Sequence, residues 1–376
     1  MKFIKLKKDA KLIPARNRVL LFSGEGQLCL EGERIIPLVG RIAPLISRFS
    51  SEAEIIERFL PSEKDDARRV LDLLCQRGFV IEKEDGMETT AKSAPYVSAP
   101  NITFIGHATL LIEAHGLRIL TDPWLFPHDR HISHAPYPIT FEDLPPIDLI
   151  CISHMHGDHL NLPTLLRLEK GIPVVVPRIE KPGEHNRSLD RMLGGLGFER
   201  IICLERWESF KLQGVSVTRT PCHSAWGITE QATWLIESDD INIFCGGDML
   251  EDEEFMKHLG DNYRVDIAFL PISGYSTHVG QSFLKDIMPA ETHDRVIRDV
   301  MGVKEAVQST HWIRPKFAVG YANGGAYWYK HPECSITGGN VDDFIRQLEA
   351  EGSVAKGIDM RPGDIWEHKS ERLFRG

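Results

Sequence analysis

The sequence predicts a mixed α/β fold: an αββα sandwich of two packed sheets covered by helices, preceded by a small winged-helix-like unit. Three observations carry this. From Asn101 onward the chain repeats strand–turn–strand in two strand-rich halves with helices between them, the pattern that stacks two sheets under outer helices. The apolar run Ile147–Ile152 ends abruptly in His154, His156, Asp158 and His159, so a buried strand delivers a cluster of polar side chains to one rim. Residues 1–82 differ in style, with short strands, Gly-rich turns and helical stretches.

Composition bounds the function classes. The chain has 376 residues, enough for two domains and at least one large core, with 42% hydrophobic and 26% charged residues. No apolar run approaches the roughly 18 residues of a membrane span. A net charge of −10 argues against nucleic-acid binding as the main activity. Met1–Arg18 is basic but lacks an apolar h-region, which argues against a secretory signal. The seven cysteines are scattered, without a CxxC pair, as expected of a reducing, cytoplasmic compartment. Cys222, beside His223, reads as a packed thiol or as a neighbour of a metal.

In chain order, Phe3, Ile4, Leu6, Leu12 and Ile13 are strand material. Arg18–Val39 reads as small antiparallel strands broken by Gly24-Glu25-Gly26 and Glu31-Gly32-Glu33. Helices follow at Ile42–Phe49, at Ala53–Phe59 behind a Ser50/Ser51 cap, and after Pro61-Ser62-Glu63; Gly78 stops the last, and Phe79–Glu82 returns as a strand. The polar stretch 83–100 reads as a linker, which divides the chain into 1–82 and 101–376. Ile102–Ile105, Thr109–Glu113 and Leu117–Leu120 are strands, and Phe126–Pro138 is a loop carrying His128, His131 and His134. Beyond the motif strand come a helix at Pro163–Lys170, a strand at Pro173–Pro177 and a helix at Asn186–Leu193. Strands at Ile201–Leu204, Ser209–Leu212 and Val215–Thr220 lead to Pro221-Cys222-His223, and a hairpin, Thr233–Ile236 with Ile241–Cys245, leads to Gly246-Gly247-Asp248. Asp266–Leu270 is a strand, Glu291–Thr310 a helix and Phe317–Gly320 a late strand.

Histidine and carboxylate are the usual ligands of zinc and other borderline divalent ions. His154 and His156 share a direction because extended side chains repeat every two residues, whereas Asp158 and His159 follow the turn at Gly157. Two ligand pairs so close in sequence and differently aimed suit two adjacent ions. His223 and Asp248 also follow strand ends, as does Asp122, placed to orient a ligand histidine.

This constellation resembles the metallo-β-lactamase superfamily over about residues 100–370. The HxHxDH signature is complete in His154, His156, Asp158 and His159, and the opening "IGHATLLIEAHGLRILTDPWL" is similar to the branch of L-ascorbate-6-phosphate lactonases and N-acylphosphatidylethanolamine phospholipases D. "ISHMHGDHLNLPTL" and "GYANGGAYWYKHPE" resemble the C-terminal part of CMP-N-acetylneuraminate hydroxylases, without their Rieske cysteine–histidine pairs. The resemblance implies one metal on His154, His156 and His223, a second on Asp158 and His159, and Asp248 bridging both. A final histidine normally completes the second site, and here Tyr321 or Asn323 stands in its place; His278, His311 and His331 are neighbours in sequence that do not match. The expected cofactor is therefore one or two zinc ions, with iron or manganese equally suited to N/O ligation. The implied chemistry is metal-assisted hydrolysis of an ester, amide, lactone or phosphodiester, with Asp158 or Asp248 handling the proton. An iron oxidoreductase on the same fold and a non-catalytic scaffold are the alternatives.

Other residues divide between site and packing. His107 either stands beside the metal or satisfies backbone groups at a strand break. Tyr275, Trp226, Tyr327, Trp328 and Tyr329 line a pocket or belong to the core, and Lys330 and Arg361 neutralise a phosphate or remain solvated. The hairpin, "LVGRIAPLISRF" and "LLCQRGFV" of residues 1–82 resemble PqqD-like peptide-recognition domains, which implies a leader peptide bound as an added strand. A DNA-binding or purely structural winged helix is the other reading, and the acidic second half disfavours DNA.

Overall fold

A computed structural model of the chain describes residues 3–8, 10–24, 26–47, 49–83, 99–126, 128–129, 132–134, 136–180, 188–224, 230–281, 286, 289–322, 329–330 and 340–376. Two large sheets face each other among the described residues. The first has eight strands in the order Ile201–Leu204, Val174–Pro177, Leu149–Cys151, Leu117–Thr121, Thr109–Ala114, Asn101–Gly106, Ile365–Glu367 and Arg372–Phe374. The second has seven, in the order Ser209–Leu212, Val215–Thr220, Thr233–Glu237, Asn242–Cys245, Ile267–Pro271, Phe317–Tyr321 and Lys356–Gly357.

The central strands of each sheet are parallel: Leu149–Cys151 lies between Leu117–Thr121 and Val174–Pro177, and Ile267–Pro271 lies between Asn242–Cys245 and Phe317–Tyr321. Such strands are covered on both faces and so read as continuous apolar runs. Val174–Pro177, Ile267–Pro271 and Phe317–Tyr321 are buried throughout. Each fully buried valine, leucine or isoleucine contributes roughly 1.5–3 kcal/mol. Parallel strands also gather their C-terminal ends at one rim, and there the ligand-type residues collect.

Helices close the sandwich. The first three are α1 (Ile35–Ile46), α2 (Glu52–Glu57) and α3 (Lys64–Gln76) of the N-terminal unit. Next come α4 (Leu162–Arg167), packed against α1 and the strand Lys11–Ala15, α5 (Leu189–Gly195) on the first sheet, and α6 (Glu253–Asn262), α7 (Val303–Ile313) and α8 (Val341–Ala350) on the second. Phe255, Met256, Leu259, Val307, Ile313 and Phe344 build the outer core beneath α6–α8. No described helix is long and apolar enough to cross a membrane.

The N-terminal unit carries a strand meander, Lys11–Ala15, Arg18–Ser23 and Gly26–Glu31, and a second small sheet in which Phe3–Leu6 pairs with Ser50–Ser51 and Val80–Lys83. Its apolar side chains, among them Leu12, Val39, Ile42 and Ile46, are continuous with the core of the first sheet. A polar bond crosses the seam. Arg167 donates to Lys7 O at 3.0 Å and to Glu142 at 3.3 Å. Lys170 Nζ donates to Leu165 O, Leu166 O and Leu168 O at 2.7–3.0 Å, satisfying carbonyls at the end of α4. Gly40 on α1 lies so close to the carbonyl of Leu196 that a Cβ there would collide with it.

Several sequence expectations change. α1 starts at Ile35, not Ile42, and absorbs the Ile35–Val39 run expected as strand; Pro37 in its first turn lacks only an N–H that the helix does not use. Glu291–Thr310 is not one helix. Val296–Arg298 pairs with Ser276–His278, and α7 begins only after Gly302, whose N–H donates to Glu305. The loop Phe126–Pro138 contains short strands, His128–Asp129 and Ile132–His134, the latter paired with Tyr329–Lys330, a partner too distant for a local pattern to reveal. The linker expected at 83–100 lies mostly outside the described residues, as do Trp226, Asn323, Tyr327, Trp328, His131 and His331.

Replacing Gly40 by valine is expected to lower stability by about 1–3 kcal/mol through overpacking against Leu196, measured by urea unfolding.

Candidate metal centre

The rim is built from turns that follow strands. Thr121 leads into Asp122, Cys151 into Ser153 and His154, and Cys245 into Gly246-Gly247-Asp248; the hairpin turn Gly106–Ala108 stands alongside because Leu110 pairs with Thr121. Backbone bonds stitch the two sheets here: Ala232 N donates to Ser153 O at 3.0 Å and Ala322 N to His107 O at 3.1 Å. Several of these residues have positive φ: His107 (51°), Asp122 (36°) and Ala322 (45°). Non-glycine residues persist in that region only where their surroundings hold them. Threonines do so. Thr109 Oγ1 donates to Asp122 O at 2.6 Å and accepts from Trp124 N, and Thr121 Oγ1 donates to Ala108 O at 2.9 Å. At Gly106 (φ 152°) the Tyr137 ring occupies the space a Cβ would need.

The motif reverses direction as its spacing implies. His159 N and Leu160 N both donate to His156 O, forming a tight turn that brings the His159 ring back to 4.2 Å from the His154 ring. Asn161 then caps α4 by accepting from Thr164 N at 3.1 Å.

Two groups of ligand atoms result, each with all its donor atoms within 4.8 Å of one another: His154, His156 and Asp248, and His107, Asp158 and His159. In the first, His154 Nε2 is 2.9 Å from His156 Nδ1 and 3.8 Å from Asp248 Oδ2. In the second, His107 Nε2 is 3.2 Å from His159 Nε2 and 3.3 Å from Asp158 Oδ2. Asp248 Oδ2 is also 3.2 Å from His159 Nε2, so this carboxylate stands between the groups. Ligands held about 2.1 Å from a tetrahedral ion are separated by about 3.4 Å, and the donor spacings fit that requirement.

Asp122 sets the protons. Its carboxylate accepts from Ser153 N at 2.6 Å, from Ser153 Oγ at 2.7 Å and from His159 Nδ1 at 2.8 Å. Because the Ser153 hydroxyl gives its proton to Asp122, it accepts from His154 Nδ1 at 2.9 Å. Both imidazoles thus carry a proton on Nδ1 and direct Nε2 at the ligand groups, the arrangement in which an outer carboxylate fixes the tautomer of a metal-binding histidine.

Burial and charge tune these groups. Burial, followed by the neighbouring imidazoles of His159 and His156, holds His154 well below its ordinary pKa, hence neutral. Burial also pushes His159 down, but Asp248 and Asp122 outweigh it and raise this histidine well above its usual range. Burial works to raise Asp158 and Asp248, yet the histidines around them prevail and keep both carboxyls below their ordinary values, His107 acting first on Asp158 and His159 first on Asp248.

The other expected residues divide. His223 is exposed and belongs to neither group, although its carbonyl accepts from Leu250 N, two residues beyond Asp248. Tyr321 is buried, and its hydroxyl accepts from Gly247 N at 2.6 Å. Tyr275 is half-buried, with its carbonyl accepting from Asp299 N. His311 pairs with Glu351 at 3.3 Å, and neither it nor His278 joins the ligand groups. Cys222 packs against the outer core, with Sγ 3.7 Å from Gln231. Arg361 pairs with Asp359 at 3.2 Å. Ser153, Thr109, Thr121 and Tyr137 escape sequence reasoning, although Ser153 lies in the histidine motif stretch and Thr109 and Thr121 in the opening stretch "IGHATLLIEAHGLRILTDPWL".

A family described as "Beta-lactamase superfamily domain" matches residues 101–321, more than half of the chain, and the chain belongs to it. A protein of Aeropyrum pernix named a metal-dependent hydrolase is 29% identical over 277 residues, covering 71% of this chain and 96% of that one. An uncharacterized protein of Mycobacterium tuberculosis is 29% identical over 194 residues; the match covers 47% of this chain and 49% of the relative, so the chain spans about half the length of that mycobacterial protein. Among solved structures, CmlA, a diiron β-hydroxylase from Streptomyces venezuelae, shares the fold with a TM-score of 0.65 at 18% identity, over 96% of this chain and 69% of that chain.

Replacing Asp122 by alanine is expected to weaken metal binding about 10–100-fold while the fold persists, as read by competition with a chromophoric chelator alongside circular dichroism.

Proposed function

We propose that the chain is a metal-dependent hydrolase acting on an ester, amide, lactone or phosphodiester. The observation that carries this reading is the pair of converging ligand groups that share Asp248, with the tautomers of His154 and His159 set by Asp122. His154, His156 and Asp248 would hold the first ion and Asp158 and His159 a second; His223, exposed and outside both groups, would have to turn inward to serve as the further ligand of the first. The metal, when bound, supplies the acidity that makes water nucleophilic near neutral pH and the charge that stabilises a developing oxyanion. Asp158 and Asp248, both kept as carboxylates, orient the attacking water and take its proton. Zinc suits this donor set and this chemistry.

A second reading, an iron-dependent oxidoreductase, draws on the likeness to the diiron β-hydroxylase, which runs through nearly the whole chain. Bound iron and visible absorbance in protein purified without added metal favour that reading; zinc without absorbance favours the hydrolase.

The N-terminal unit is proposed to receive an extended leader peptide. Among the described residues its strand Gly26–Glu31 pairs on one side, with Arg18–Ser23, which leaves the other backbone edge to receive an added strand. The scattered cysteines, without a CxxC pair, support a cytoplasmic setting.

Chelation followed by dialysis is expected to abolish hydrolysis across a panel of model esters, lactones and phosphodiesters, and added zinc to restore it. His154→Ala is expected to lower kcat by about 100-fold or more. Unchanged turnover in the metal-free protein and in His154→Ala sinks the hydrolase reading and leaves a binding scaffold.

A further inference from the structure

The second ligand group lacks the histidine that the family resemblance places at the late strand end, where Tyr321 stands. The Tyr321 side chain is not free to serve: its hydroxyl is 2.6 Å from Gly247 N and accepts that proton, bracing the turn that carries Asp248. The residue after it, Ala322, donates its N–H to the carbonyl of His107 at 3.1 Å. His107, on the first sheet with Asp158 and His159, therefore reaches the second ligand group beside the strand end of the second sheet where the last histidine is missing.

We infer that His107 is a ligand of the second metal ion, completing with Asp158, His159 and Asp248 a site assembled from both sheets. This rests on the metal-dependent reading above and specifies it. The spacing is that of ligands and not only of a packed ring: His107 Nε2, His159 Nε2 and Asp158 Oδ2 converge, with 3.2 and 3.3 Å from His107 to the other two, close to the edge of a coordination tetrahedron. The proton pattern agrees. His159 has its Nδ1 proton engaged by Asp122, so its Nε2 and the Nε2 of His107 face each other with room for one shared proton or one cation between them. A divalent ion satisfies both nitrogens and the Asp158 carboxylate at once, whereas a single proton bonds one pair of them well.

The ring of His107 is held for this purpose. It is 3% exposed and meets the fully buried Trp124 edge to face, with centroids 5.4 Å apart and planes at 89°. Its backbone has φ 51°, a conformation that asparagine also tolerates, which makes His107→Asn the least disruptive variant without an imidazole.

Zinc or cobalt is titrated into metal-free full-length protein, with stoichiometry read by elemental analysis and by cobalt absorbance. The wild type is expected to bind two ions per chain. His107→Asn is expected to keep the ion of His154 and His156 at unchanged affinity and to bind the second at least about 100-fold more weakly, beyond the effect of losing an outer partner. His107→Asp is expected to regain the second ion, since a carboxylate ligates and a purely positioning role would not favour it over asparagine. Two ions bound with wild-type affinity by His107→Asn overturn the inference. Should the variants fail to fold, anomalous scattering from wild-type crystals grown with cobalt decides: an ion about 2.1 Å from His107 Nε2 supports the assignment, and a second ion beyond about 3 Å from it overturns it. A wild-type chain that binds one ion overturns this assignment but leaves the hydrolase reading standing, whereas a chain that binds none removes both.

Discussion

The carboxylate of Asp122 is the constraint on which the rim depends. A buried anion is stable only when its oxygens are well supplied with donors, and Asp122 receives the Ser153 N–H, the Ser153 hydroxyl and the His159 Nδ1 proton. Each of these bonds also does something for the neighbour. The first fixes the chain where the motif strand ends. The second turns the Ser153 hydroxyl so that its lone pair meets His154. The third aims the far nitrogen of His159 at Asp248. Held in an uncommon backbone region by Thr109, one side chain thereby sets two imidazoles that lie five residues apart on opposite sides of a turn.

Much of this was legible in the residues. Apolar runs placed the strands of both sheets as far as Phe317–Tyr321, whereas the late strands Lys356–Gly357, Ile365–Glu367 and Arg372–Phe374 were not read from the sequence. The motif placed His154, His156, Asp158 and His159, and the strand-end rule brought Asp248 to them. What stayed hidden depends on distant partners. Val296–Arg298 is a strand because Ser276–His278 lies beside it, and Ile35–Val39 is helical because the N-terminal unit buries that face. His107 was ambiguous for the same reason, since its neighbours in space, Asp158 and His159, are about fifty residues away in sequence.

Tyr321 shows how a departure from an expected pattern reads differently in three dimensions. As a letter in the chain it marks a missing ligand. In the fold it is a buried phenol whose oxygen ties the late strand to the turn before Asp248. Burial, the largest influence, together with nearby Cys245 and Asp122 raises its pKa well above the ordinary value, so it remains a neutral acceptor there.

The short helix α4 has a mechanical role that its length makes plain. At one end it receives the chain directly from the turn bearing Asp158 and His159; at the other, its carbonyls rest on Lys170, packed under Gly40 and Gly197. Six helical residues span only about 9 Å. The N-terminal unit thus acts as a footing one lever-arm away from the ligands, and cleavage that removed it would wet the Lys170 seat and let the whole lever tilt. Proteolytic trimming near residue 83 would therefore damage the rim without touching it.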